Sequence, residues 1–237
     1  MTDTAAFRPF ETMLDRDIAL RRLSEATAGA DDGELFLERR QSEALVFDDG
    51  RVKTASFDAA QGFGLRAVRG EVSGYAHSSD ISEPALTRAV ETARLAVGDG
   101  GGTMAPPPPR TNRHLYTDAD PIAGAEFPVK LETLREIDDF ARSLDPRVVQ
   151  VTATLAASHQ EVVILRPDGT EVSDSRPMTR LNVSVIVDQD GRRESGTAGG
   201  GGRIGLDGLI DPADWQAKAH EALRIALVNL RAEPAPA

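Results

Sequence analysis

The 237-residue chain has no cysteine. That one absence excludes disulfides, thiolate zinc sites and cysteine nucleophiles together. Aromatic residues are scarce, at 5%, so aliphatic side chains and alanine must build the core. Positive charge is outweighed: 27 Lys and Arg stand against 38 Asp and Glu, a formal charge of -11. No basic cluster interrupts this balance, so a nucleic-acid partner is not expected. Lysine occurs only at Lys53, Lys130 and Lys218. No window approaches the roughly 18 apolar residues of a membrane span. The start, "MTDTAAFRPF", lacks a signal-peptide layout. No membrane partner is expected, and the location expected is cytoplasmic. What is present is ordinary for a globular protein: 40% hydrophobic and 27% charged, with length enough for a sizeable core.

Periodicity orders the chain. Residues 15–28 read as a helix with Ala19, Leu20, Leu23 and Ala26 on its apolar stripe. Residues 34–41, 45–47 and 52–57 read as short strands, with a hairpin turn at Asp49 and Gly50, where both positions tolerate positive φ. A second hairpin is expected to turn at Arg69 and Gly70, or at Gly70 and Glu71. Ser82 then caps a helix whose apolar face is Leu86, Ala89, Val90, Ala93 and Val97, with Gly98 closing it. Another helix spans residues 128–144. Strands follow, among them "LNVSVIVDQDG", with Leu181, Val183, Val185 and Val187 on one face and a turn at Asp190 and Gly191. The last strand, "RRESGTA", leads into four glycines. Asp211 and Pro212 open the final helix.

The order is helix, strands, helix, linker, helix, strands, helix. This implies an α+β fold with largely antiparallel sheets, flanking helices and two subdomains. The expected division is an α+β domain over residues 1–105, a Pro-rich linker or crossing loop over 106–127, and a second α+β region over 128–237.

The candidate chemistry is thin. Gly200, Gly202 and Gly205 spell G-x-G-x-x-G, but the next helix starts near Pro212, too late for pyrophosphate to meet its N-terminus. No Gly-Lys-Ser/Thr follows, which excludes a P-loop. His220 and Glu221 begin like a zinc helix, yet the second histidine would fall at residue 224 or 225, where Arg224 and Ile225 stand. His77, His114 and His159 lie on separate elements. The pairs Asp31 and Asp32, Asp48 and Asp49, and Asp138 and Asp139 read as turn formers and solvating charges.

The whole pattern resembles the TldD/PmbA family of bacterial and archaeal metallopeptidases. The residues that carry the resemblance are Gln61, Gly62, Gly64 and Arg66, then Gly70, Glu71, Gly74, Tyr75 and Ala76. The segments "RPMTRLNVSVIVDQDGRRESGTAGGGGRIG" and "KAHEALRIALVNLRAEPAPA" resemble those before the zinc motif of the TldD branch. The resemblance covers residues 30–237. It implies a zinc metallopeptidase acting on unfolded or short peptides, paired with a TldE/PmbA-like subunit. The family's motif, His-Glu-x-x-x-His with a later cysteine, is absent here, so the catalytic half is expected to lie beyond this chain. No catalytic or metal residue can be carried onto it. On this reading the chain is a scaffold and chamber part, inactive alone; the alternative is a non-catalytic subunit of the same family. Gly199, Gly200, Gly201 and Gly202 then become a side-chain-free segment where an extended peptide approaches closely. Arg203 would hold a carboxylate of the protein or of the substrate.

Overall fold

A computed structural model describes residues 6–98 and 115–233. The proline run at residues 106–109 lies outside the described residues. The elements in order are α1 (Pro9–Thr12), α2 (Arg16–Ala26), β1 (Asp32–Asp48), β2 (Arg51–Arg69), β3 (Val72–Ser78), α3 (Glu83–Val97), α4 (Phe127–Leu144), β4 (Val148–Leu165), β5 (Glu171–Gln189), β6 (Arg192–Gly202), α5 (Asp207–Ile210) and α6 (Pro212–Arg231). The six strands form an antiparallel sheet in the order β3-β2-β1-β4-β5-β6. The architecture is α+β, as the element order implies.

Local chemistry sets the boundaries. Asp15 caps α2 by accepting from the Ile18 N–H at 2.9 Å, and Asp211 caps α6 by accepting from the Ala213 N–H at 2.8 Å. Ser82 caps α3. These oxygens satisfy helix-end donors that have no carbonyl four residues back. Two hairpins turn on an aspartate and a glycine that both take positive φ: Asp49 at 52° and Gly50 at 78°, and Asp190 at 57° and Gly191 at 86°. The right-handed strand twist favours such turns. Between β2 and β3, Arg69 pairs with Val72, so the turn is Gly70 and Glu71.

The strands are fewer and longer than their apolar runs suggest. Residues 34–41 and 45–47 belong to one strand, β1, and the runs on either side of Ser158 join in β4. The polar stretches between the runs are paired sideways instead of turning. Arg39 meets Glu161 at 2.5 Å, and Gln160 Nε2 donates to Glu38 at 2.7 Å. Cross-strand partners satisfy these charges, so the ladder continues through them.

Two compact units result. Among the described residues, one comprises 6–40, 59–98, 115 and 160–175; the other comprises 41–58, 116–159 and 176–233. In the first, Leu35, Leu37, Phe63, Leu65, Val163 and Leu165 pack with Leu23 of α2 and Leu86 of α3. In the second, Leu45, Phe47, Val151, Ala153, Leu181, Val183 and Val185 pack with Leu134 and Ile137 of α4 and Trp215 and Leu223 of α6. Each half of the chain runs helix, three strands, helix, and in each the last helix packs on the third strand.

Several acids do more than solvate. Asp138 is buried and bonded to Arg142 at 2.9 Å. Asp48 accepts from Thr152 Oγ1 at 2.6 Å, Gln150 Nε2 at 3.0 Å and Lys53 Nζ at 3.0 Å. Those donors, Thr152 foremost, hold its carboxyl at about 2, below the usual 3.8. Arg147 holds Asp145 at about 2 in the same way. A depressed folded-state value contributes stability above the unfolded value, and that contribution is lost as pH falls through the folded one. The acid limb of stability therefore lies between pH 3.8 and about 2 for both groups. Thr152→Val is expected to raise the Asp48 value and to move acid unfolding to higher pH, as a circular-dichroism titration would show. An unmoved acid midpoint would contradict this role for Thr152.

Candidate functional site

The four glycines lie within β6, the outermost strand on its side of the sheet. In the expected layout the strand stopped before them; it runs on to Gly202 because β5 continues beside it. Thr179 pairs with Gly202, Arg180 with Gly201, Leu181 with Gly200 and Asn182 with Gly199.

Each glycine answers a different neighbour. A Cβ at Gly196 would overlap Ala222 O and Ala226 N, so the α6 backbone rests directly on the strand there. A Cβ at Gly199 would overlap the Asn182 side chain, and one at Gly201 would overlap Thr179 O. At Gly200 it would come to 3.0 Å from Lys218 Cε, a flexible neighbour, and at Gly202 it would meet nothing within 4 Å. The run combines close packing with open surface.

The hairpin geometry decides which backbone groups are free. The two-residue turn at Asp190 and Gly191 is closed by Gln189 and Arg192, which exchange hydrogen bonds. Bonded and non-bonded pairs then alternate, so the odd-numbered residues of β6 turn their N–H and C=O away from β5. The Ser195 carbonyl fits this parity: Asn229 Nδ2 of α6 donates to it at 2.9 Å. Beyond Ser195, Thr197, Gly199 and Gly201 present a row of polar backbone along the sheet edge. Such a row is a template for an added strand.

Arg203 follows the strand end. Its guanidinium lies 4.7 Å from the centroid of the Tyr116 ring, a cation–π contact. Thr179, buried beneath, donates to the Gly202 and Ile204 carbonyls, each at 3.4 Å, and so ties the turn to β5. Gly199 to Arg203 thus lie at the end of β6 and in the turn that follows it. Asn182 and Arg180 of β5 pair with Gly199 and Gly201; counting strand parity from the Asp190 turn would have found these two.

Three glycines that carry the family resemblance allow close packing. A Cβ at Gly62 would press on Ser78 O, and one at Gly74 would overlap the Ala93 carbonyl of α3. One at Gly64 would come to 2.7 Å from the Tyr75 hydroxyl. Gly70 takes φ 56° in its turn. Arg66 approaches Glu34 at 3.7 Å. None of these residues assembles a reaction centre. Among the described residues no three His, Cys, Asp or Glu side chains stand together as metal ligands. These residues do not fit a zinc site. No described helix is long and apolar enough to cross a membrane.

In each half an antiparallel meander carries a glycine-tailored strand under a helix. Residues 33–97 match the PmbA/TldA metallopeptidase domain 1, and residues 120–230 match the PmbA/TldA metallopeptidase central domain. The chain belongs to the TldD/PmbA family. It is 36% identical over 214 residues to the Metalloprotease TldD homolog of Haemophilus influenzae, covering 87% of this chain and 44% of that protein. It is 31% identical over 228 residues to the homolog of Buchnera aphidicola subsp. Acyrthosiphon pisum, covering 93% of this chain and 47% of that protein. The chain spans about half the length of these relatives. The fold is shared with a proposed DNA gyrase modulator from Thermotoga maritima, at TM-score 0.73 and 13% identity over 93% of this chain and 49% of that one. It is also shared with TldE from Thermococcus kodakarensis, at TM-score 0.68 and 13% identity over 87% of this chain and 46% of that one.

Proposed function

We propose that this chain is the substrate-chamber part of a TldD-like zinc metallopeptidase that cleaves unfolded or short peptides. The zinc motif belongs to the half of the relatives outside the matched region, and the partner is a TldE/PmbA-like subunit. The observation that carries the reading is the open edge of β6 at Thr197, Gly199 and Gly201. Edge pairing holds a substrate by its backbone, so it selects extended chains of varied sequence and rejects folded ones. Gly199 and Gly201 keep side chains from standing between edge and substrate.

The test is Thr197→Pro. Proline removes one outward N–H and is tolerated on sheet edges. A fluorescein-labelled, unstructured octapeptide is expected to bind the intact variant at least about tenfold more weakly, a loss of about 1.4 kcal/mol, with the unfolding midpoint little changed. Equal affinity for both proteins would overturn the reading. The shared fold with TldE keeps a second reading in play, a non-catalytic subunit of the family. Chelator-sensitive cleavage of the octapeptide by the intact protein alone, with no partner added, would exclude it.

A further inference from the structure

We infer that Arg180 makes the β6 edge selective for peptides that carry a carboxylate, with Arg203 as a second cation at the same end. The inference rests on the edge-docking reading above and names the substrate class of that site.

Arg180 and Asn182 share a sheet face with their partners Gly201 and Gly199. It is the face opposite the buried Leu181 and Val183. Arg180 Nε donates to Asn182 Oδ1 at 3.0 Å. That bond fixes the direction of the guanidinium and leaves its two terminal nitrogens without a protein acceptor among the described residues. Arg180 is exposed and has no carboxylate partner there, although the chain carries an excess of acids. Arg203 likewise has its Tyr116 contact and no carboxylate partner among the described residues.

Parity aims an incoming side chain at Arg180. Thr197, Gly199 and Gly201 present the free N–H and C=O groups, so an added strand bonds through residues directly opposite them. Directly opposed residues share a face. The peptide residues facing Gly199 and Gly201 therefore project on the face that carries Arg180. Strands lie about 4.8 Å apart, which puts the added strand roughly 10 Å from β5. A side chain on β6 would fill that interval. Glycine at 199 and 201 puts no β6 side chain there; the Asn182 side chain folds over Gly199, and the long Arg180 beside it can reach a carboxylate on the added strand. The planar guanidinium suits a carboxylate's two oxygens. That carboxylate can be an Asp or Glu side chain or the peptide's own C-terminus.

Three labelled octapeptides separate the sources on the intact protein. One has a central Glu and an amidated C-terminus, one a central Gln and a free C-terminus, and one a central Gln and an amidated C-terminus. At least one carboxylate-bearing peptide is expected to bind about fivefold tighter than the neutral one, in the range of an exposed ion pair. Which of the two does so identifies the source. In Arg180→Gln the preference disappears: the carboxylate-bearing and neutral peptides bind with equal affinity. In Arg180→Lys part of it returns. Equal binding of all three peptides would overturn the carboxylate preference and leave edge docking standing. Binding of none would overturn edge docking and this inference with it. A preference that survives Arg180→Gln unchanged would remove Arg180 from the site.

Discussion

Gly196→Ala is expected to destabilise the protein by about 3 kcal/mol, a large effect for one added methyl group. The new Cβ would overlap Ala222 O and Ala226 N, the backbone of α6 itself. A side chain could rotate away, but a hydrogen-bonded helix backbone moves only as a unit. α6 would have to lift from β6, and Trp215, Ala219, Leu223 and Ala226 would lose part of their packing with Val183 and Val185. Gly202→Ala is the internal control. Its Cβ meets nothing within 4 Å, so the change should stay within about 0.5 kcal/mol. Urea unfolding of the two variants, followed by circular dichroism, reads the difference. Equal midpoints would show that α6 does not rest on the strand backbone. Gly74 holds the corresponding place under α3, where Ala93 O occupies the Cβ position, so Gly74→Ala should behave as Gly196→Ala does.

The same glycines show which parts of this fold could be read from sequence. Caps and turns are local, so Ser82, Asp211 and the turns at Asp49 and Asp190 were legible. Strand continuity was not, because it depends on partners distant in sequence. The polar interval at Glu38 and Arg39 looks like a break until Gln160 and Glu161 lie beside it. The glycine run was legible as a place of close approach, but which glycine meets which neighbour was not. Gly196 lies before the run, and it is Gly196 that carries α6. Arg180 and Asn182 carried no signal of their own; the register alone sets them over Gly201 and Gly199.

Lys130 was equally silent in the sequence, where a lysine beside Leu131 and Leu134 reads as the rim of an apolar stripe. In the fold it is 2% exposed. Its Nζ donates to Glu43 Oε1 of β1 at 2.6 Å and to the Ile122 carbonyl at 2.7 Å. Asp120 reinforces that segment by accepting from the Ile122 N–H at 2.8 Å. The buried ammonium thus binds α4, the sheet and the approach to α4 together. Lys130→Ala is expected to cost about 3 kcal/mol, because it strands a largely buried carboxylate and leaves a carbonyl without its donor. Much of that cost is the unpaired Glu43. Glu43→Leu combined with Lys130→Met removes both charges and refills the volume, so the double variant should recover most of the loss. A double-mutant cycle in urea should give a coupling of about 2 kcal/mol. Additive losses in that cycle would mean that the two charges do not act as a pair, and the anchoring of α4 would then have to come from the apolar contacts of Leu134 and Ile137 alone.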